Sequence, residues 1–259
     1  MFYSEDGVQF YSKFHAIDYK KKTGKNVFLY YYDELYSTLD WKTEPIESLD
    51  ELYKQQAQRI RDTYDKVILC YSGGYDSTNI LESFYYNNIP FDKIAIAGAF
   101  SKDSFSGVDE NHNGELYHNA FPYIEELGLS NITQVYDYVS LCDNVENFSL
   151  IKKYGTDWVH YVGSYFTVQH WFWHDAYKHI VPNEWKDQKI ALVMGIDKPI
   201  IHYINDKPVF RFSDAATNGY GNVERVNFYW DPGFPKILMK QLKCVLRMNE
   251  RPTSKDHAN

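Results

Sequence analysis

The stretch Lys66-Val67-Ile68-Leu69-Cys70-Tyr71-Ser72-Gly73-Gly74-Tyr75-Asp76-Ser77-Thr78 constrains this chain more than any other. Its run of apolar residues, Val67 to Cys70, reads as a buried parallel strand. Ser72-Gly73-Gly74 follows, and two glycines let a backbone turn sharply and come close to a ligand. Asp76, Ser77 and Thr78 suit a helix N-terminus, and the sequence from Asn79 to Tyr86 continues as a helix. Strand, glycine turn and helix N-terminus together make an anion cradle. Backbone N–H groups and the positive end of the helix dipole face the bound group. The plainer alternative is an ordinary strand-to-helix turn built on Gly-Gly.

Composition narrows the partners. A chain of 259 residues can bury a full core and is most simply one domain with an appendage. With 44% hydrophobic residues it is globular rather than disordered. A net charge of −8 argues against a broad nucleic-acid footprint, without excluding a local basic patch. The 24 tyrosines are spread through the chain, which suggests amphipathic packing rather than one aromatic site. Cys70, Cys142 and Cys244 form no CxxC and no metal-type spacing, as expected of a reduced, cytoplasmic protein. Nothing resembles a signal peptide, and no apolar run approaches the length of a membrane span.

Taken in order, residues 1–47 read as an N-terminal extension, 48–250 as the main domain and 251–259 as a polar tail. Val8 to Tyr11 and Phe28 to Tyr32 are expected strands, Lys20-Lys21-Lys22 a solvated turn, and Trp41 to Pro45 a loop. Ser48-Leu49-Asp50-Glu51 is a capping box, after which Leu52, Gln56, Ile60 and Tyr64 recur at helical spacing. Phe91 to Phe100 is the second strand of the α/β unit, with small residues at its carboxyl end. A polar loop, 101–114, leads into a helix from Glu115 to Leu127, and Ile132 to Val139 is a third strand. Phe166 to Ile180 reads as an aromatic-faced helix, on which His170 and His174 stand at metal-capable spacing but lack an HExxH glutamate and a third ligand. Packing is the simpler role for that pair.

Lys189 to Met194 is the clearest later strand, and it runs into Gly195-Ile196-Asp197-Lys198-Pro199. A carboxylate there stands at the ligand edge of a parallel sheet, with Lys198 beside it to face phosphate; a tight turn with a solvated Asp-Lys pair is the alternative. A hairpin around Asn205-Asp206, a glycine-containing segment at 213–225 expected to be mobile, and a helix from Pro235 to Met248 complete the chain.

Ser72-Gly73-Gly74-Tyr75-Asp76-Ser77 resembles the SGGxDS signature of the PP-loop ATP pyrophosphatases. It is not a Walker A loop, because no Gly-Lys-Ser/Thr follows. The resemblance implies a Rossmann-like (HUP-type) three-layer α/β/α fold with a mainly parallel sheet, behind a short N-terminal extension. It implies ATP held by Ser72, Gly73, Gly74, Asp76, Ser77, Thr78 and Gly195, with adenine against backbone groups of Ala97 and Ala99. Mg²⁺ is implied at Asp76 and Asp197, with Asp76, Asp197 and Lys198 as the catalytic set.

Residues 48–200 are most similar to the synthetase half of asparagine-synthetase-type enzymes, although Gly195-Ile196-Asp197-Lys198 is shorter than their acidic turn and lacks its Glu. Their glutaminase half begins with Cys after Met1, whereas here residue 2 is Phe. The amine is thus expected to be free, part of a substrate, or delivered by a separate ammonia-supplying subunit. The implied reaction activates a carboxylate with ATP, releases pyrophosphate and transfers the acyl group to an amine. His112, Glu115 and His118 are candidates for the general base. A nucleotide sensor without turnover and a tRNA- or DNA-base-modifying enzyme stand as alternatives. The oligomeric state is open, a homodimer included.

Overall fold

The computed structural model describes residues 2–10, 13–29, 32–100, 113–137, 180–195, 200–204, 207–211 and 223–249. The chain begins with strands β1 (Phe2–Ser4) and β2 (Gln9–Phe10), helix α1 (Lys13–Thr23) and strand β3 (Val27–Leu29). The strands form an antiparallel sheet in the order β2-β1-β3. The three lysines expected in a turn instead close α1. Cations there oppose the negative end of the helix dipole, and Gly24, at φ +72°, ends the helix by donating its N–H to the Lys20 carbonyl. β3 also stops before Tyr32, whose φ of +55° turns the chain into the short helix α2 (Asp33–Tyr36).

Helix α3 (Leu49–Thr63) starts at the expected capping box. The Glu51 N–H donates to Ser48 Oγ at 3.2 Å, and the Ser48 N–H donates back to the Glu51 carboxylate at 2.7 Å. Leu52, Gln56 and Ile60 lie on its buried face. The main sheet follows: β4 (Lys66–Cys70), β5 (Lys93–Gly98), β6 (Thr133–Asp137), β7 (Ile190–Met194) and β10 (Val223–Asn227). Its order is β10-β7-β4-β5-β6, and every neighbouring pair is parallel. The expected hairpin is β8 (Ile200–Ile204) paired antiparallel with β9 (Lys207–Arg211).

Three of these elements differ from the sequence expectation. Of the segment expected to be mobile, 213–222 lie outside the described residues, and 223–225 begin β10, which is the edge of the sheet among the described residues and whose sequence, VERVN, carries too few apolar residues to announce itself. The helix expected over 115–127 opens as a π-helical turn, Leu116–Ala120, and becomes α5 (Phe121–Glu126) only at Phe121. The second strand begins at Lys93 rather than Phe91, because Asp92 is used as a fastener. Its carboxylate accepts from the Val67 N–H at 2.9 Å and from Lys66 at 2.8 Å.

Parallel pleating sends alternate residues to opposite faces. Val67, Leu69, Ile94, Ile96, Ala191 and Val193 face one way, into a core shared with α3, with α4 (Tyr75–Tyr85) and with α6 (Lys236–Asn249). Ile68, Ala95, Ile190 and Leu192 face the other way, against Ile180 and Trp185. The sheet is therefore covered on both faces, as the unbroken apolar strands demand. The expected aromatic helix at 166–180, apart from Ile180, and the polar tail at 251–259 lie outside the described residues. No described helix is long and apolar enough to cross a membrane.

Candidate functional site

The strand order reverses direction between β4 and β7. The chain moves outward from β4 through β5 to β6, then returns to β4's other side for β7 and β10. In open α/β sheets such a reversal marks the place, beyond the carboxyl ends of the two strands, where ligands bind. The loop from Tyr71 to Gly74 leaves β4 at that point, and Gly195 leaves β7 there.

The loop is held by its own polar groups. The Tyr71 N–H extends the sheet by donating to the Ala95 carbonyl at 2.9 Å. The Ser72 N–H donates to Ser77 Oγ at 3.2 Å, the two hydroxyls lie 3.1 Å apart, and Ser77 Oγ donates to the Gly74 carbonyl at 3.0 Å. Thr78 Oγ1 meets the Tyr71 hydroxyl at 3.2 Å. Gly73 has φ +80°, and a Cβ there would come 2.7 Å from the Glu115 carbonyl oxygen and 2.8 Å from the Ala120 nitrogen. The π-helical turn thus lies directly on the loop, which is the packing that only glycine permits. Such turns recur beside functional sites.

Helix α4 begins at Tyr75 with Gly74 as its N-cap, and no side chain caps it. This contrasts with the capping box of α3. The first N–H groups of a helix have no acceptor inside it, and their first intrahelical bond here runs from the Thr78 N–H to the Gly74 carbonyl. Asp76 is half-buried in this first turn, Ser77 is buried, and Tyr75 stands 94% exposed. Gly195 backs the turn from β7: a Cβ there would be 3.2 Å from both the Asp76 carbonyl carbon and the Ser77 nitrogen.

Ser72, Gly73, Gly74, Asp76, Ser77, Thr78 and Gly195 therefore meet at one place. Asp197 and Lys198 lie outside the described residues, as does His112. Ala97 and Ala99 stand at the carboxyl end of β5, next to β4, but the Ala99 backbone is engaged. Its N–H donates to Asn113 Oδ1 at 3.0 Å, and Asn113 Nδ2 donates to its carbonyl at 2.8 Å. Adenine at Ala99 would have to take the place of this carboxamide, a relation that no spacing in the sequence signals.

Glu115 reaches the loop: its two carboxylate oxygens are 3.6 and 3.7 Å from where a Cβ on Gly74 would be. His118 is exposed on the same turn. Cys70, at the end of β4, has its thiol pushed up to about 12 by burial and so is a packing group rather than a nucleophile. Tyr229 was not legible as a site residue; it donates to the Asp76 carbonyl across 153 positions of sequence.

No group of three or more potential metal ligands occurs among the described residues. Mg²⁺ held through phosphates needs only one or two protein carboxylates, and Asp76 at the edge of the cradle fits that requirement. Compared with known proteins, the chain matches no family model, no curated protein and no solved structure. Fold and site together define an α/β protein with a strand, glycine turn and uncapped helix at the switch point of a parallel sheet.

Proposed function

We propose that this chain is an ATP-using enzyme of the PP-loop pyrophosphatase kind, with a doubly wound, Rossmann-like three-layer body working in the cytoplasm. In this reading it is an adenylating ligase that joins a small-molecule carboxylate to an amine. The observation that carries the reading is the meeting of the SGGxDS residues, the uncapped start of α4 and Gly195 beyond the carboxyl ends of β4 and β7, where the strand order reverses.

The substrate carboxylate oxygen attacks the α-phosphorus of ATP. The bond to the bridging oxygen breaks, and pyrophosphate leaves with that electron pair. The first-turn N–H groups of α4 and the hydroxyls of Ser72 and Ser77 hold the leaving pyrophosphate, where negative charge grows. Asp76 and Asp197 would hold Mg²⁺, which would supply positive charge to offset part of that growing negative charge. Lys198 supplies a further positive charge. The amine then attacks the acyl carbon, AMP departs and the amine gives up a proton. Among the described candidates for the base, Glu115 and His118, the nearness of the Glu115 carboxylate to Gly74 favours Glu115.

The exposed ring of Tyr75 in the first turn of α4 favours a second reading, in which the acceptor is a planar nucleobase and the enzyme modifies nucleic acid. Product analysis separates these readings. Purified protein with Mg-ATP and a metabolite extract is expected to yield AMP and pyrophosphate, and Asp76→Ala to lose that activity while keeping its fold. Turnover only on addition of RNA or DNA selects the second reading. ADP and phosphate, or undiminished turnover in Asp76→Ala, sinks the mechanism, and tight binding of ATP without turnover selects a nucleotide sensor.

A further inference from the structure

The peptide unit joining Asp76 to Ser77 is held from two directions by parts of the chain that arrive late in the sequence. Gly195 lies against its back, as described. Tyr229, fully buried in the turn after β10, donates its hydroxyl to the Asp76 carbonyl at 2.7 Å. The same hydroxyl accepts from Asn79 Nδ2 at 3.0 Å, and the Tyr53 ring packs edge-on against Tyr229 at 5.8 Å. The phenol therefore has little freedom to turn away.

A peptide group is planar, so fixing its carbonyl fixes the direction of the N–H at its other end. That N–H belongs to Ser77, in the first turn of α4, where N–H groups have no acceptor inside the helix and point past its start. Bonding at the carbonyl also polarises the N–H and makes it a stronger donor. Burial raises the Tyr229 phenol above its ordinary range, so it stays a neutral donor and brings no negative charge near the anion.

We propose that Tyr229 is a positioning residue that aims the Ser77 N–H at a phosphate of the bound nucleotide. The assignment rests on the loop being a phosphate cradle, as argued above. Asn79 is the second member of the device, because it orients the phenol.

The test uses the full chain, with inorganic pyrophosphate and Mg-ATP as probes, followed by calorimetry and by the amide resonance of Ser77. Tyr229→Phe is expected to weaken pyrophosphate binding about tenfold. Its Ser77 amide proton should shift less on ligand addition than in the wild type. A merely structural role would lower the melting temperature and leave the affinity of the folded protein unchanged; that result overturns the assignment. A wild-type protein that binds neither probe defeats the phosphate-cradle reading itself, and this assignment with it. If Tyr229→Phe does not fold, Asn79→Ala decides. Roughly threefold weaker pyrophosphate binding supports the device, since only the orienting partner of the phenol is lost. Unchanged affinity in that variant overturns it.

Discussion

Gly73 shows how much of the site is written in single residues. Its φ of +80° alone would disfavour any side chain, and the Glu115 carbonyl and Ala120 nitrogen leave no room for a Cβ. Both obstacles are backbone, so neither can swing aside. Gly73→Ala is expected to cost about 1–3 kcal/mol of stability and to push the π-helical turn off the loop. Thermal melting and ATP titration check this together: a stable variant with unchanged ATP affinity would show that the loop does not need its present shape. The glycines, serines and Asp76 were legible because their chemistry is local, a turn followed by a helix start. Asn113 and Tyr229 were not legible. Each acts through a hydrogen bond to a distant backbone group, and neither residue type carries a sign of which carbonyl or N–H it will find.

At the scale of elements, α3 is the case where local signals suffice. Ser48 and Glu51 exchange hydrogen bonds as the capping box predicts, and the apolar stripe falls on the buried face. Ser48→Ala should lower stability by about 1 kcal/mol, read from denaturant midpoints at unchanged slope. No change would mean that tertiary packing alone sets where α3 begins. The central strands were legible for a similar reason, since four or five successive apolar residues suit a strand buried on both faces. β10 is harder to read because it has a single sheet partner among the described residues, and Glu224 and Arg225 dilute its pattern. The π-helical turn was hidden in a continuous helical signal. Its one-residue shift follows from the Phe121 N–H bonding to the Leu116 carbonyl, which local propensity does not dictate.

Across the whole molecule, the segment before α3 is fastened to the last helix by charge. Glu44 pairs with Arg247 and with Lys240, and Glu47 pairs with Lys236. The Arg247 and Lys240 hydrogen bonds hold the Glu44 carboxyl down at about 2. A depressed carboxylate contributes stability that is present above its unfolded pKa and disappears as the pH falls through the folded one. The tie should therefore weaken on acidification from about 4.5 toward about 2. Glu44→Gln should remove that part of the acid dependence, and 1 M salt should blunt it in the wild type, because the pairs lie at the surface. Acid titration of tryptophan fluorescence reads both, and coincident curves for the two proteins would refute the role given to Glu44. The strand order also bears on how the molecule is born. β4, β5 and β6 are consecutive in both chain and sheet, so they can zip together while the rest is still on the ribosome. β4 meets its other neighbour only when residue 190 has emerged, and such distant pairings form late. Gly195 and Tyr229, which hold the start of α4, arrive later still. A nascent chain thus carries its glycine loop early but gains the contacts that hold the start of α4 only once Tyr229 has emerged, so under the proposed function a chain stopped short of that residue should hold an anion less firmly.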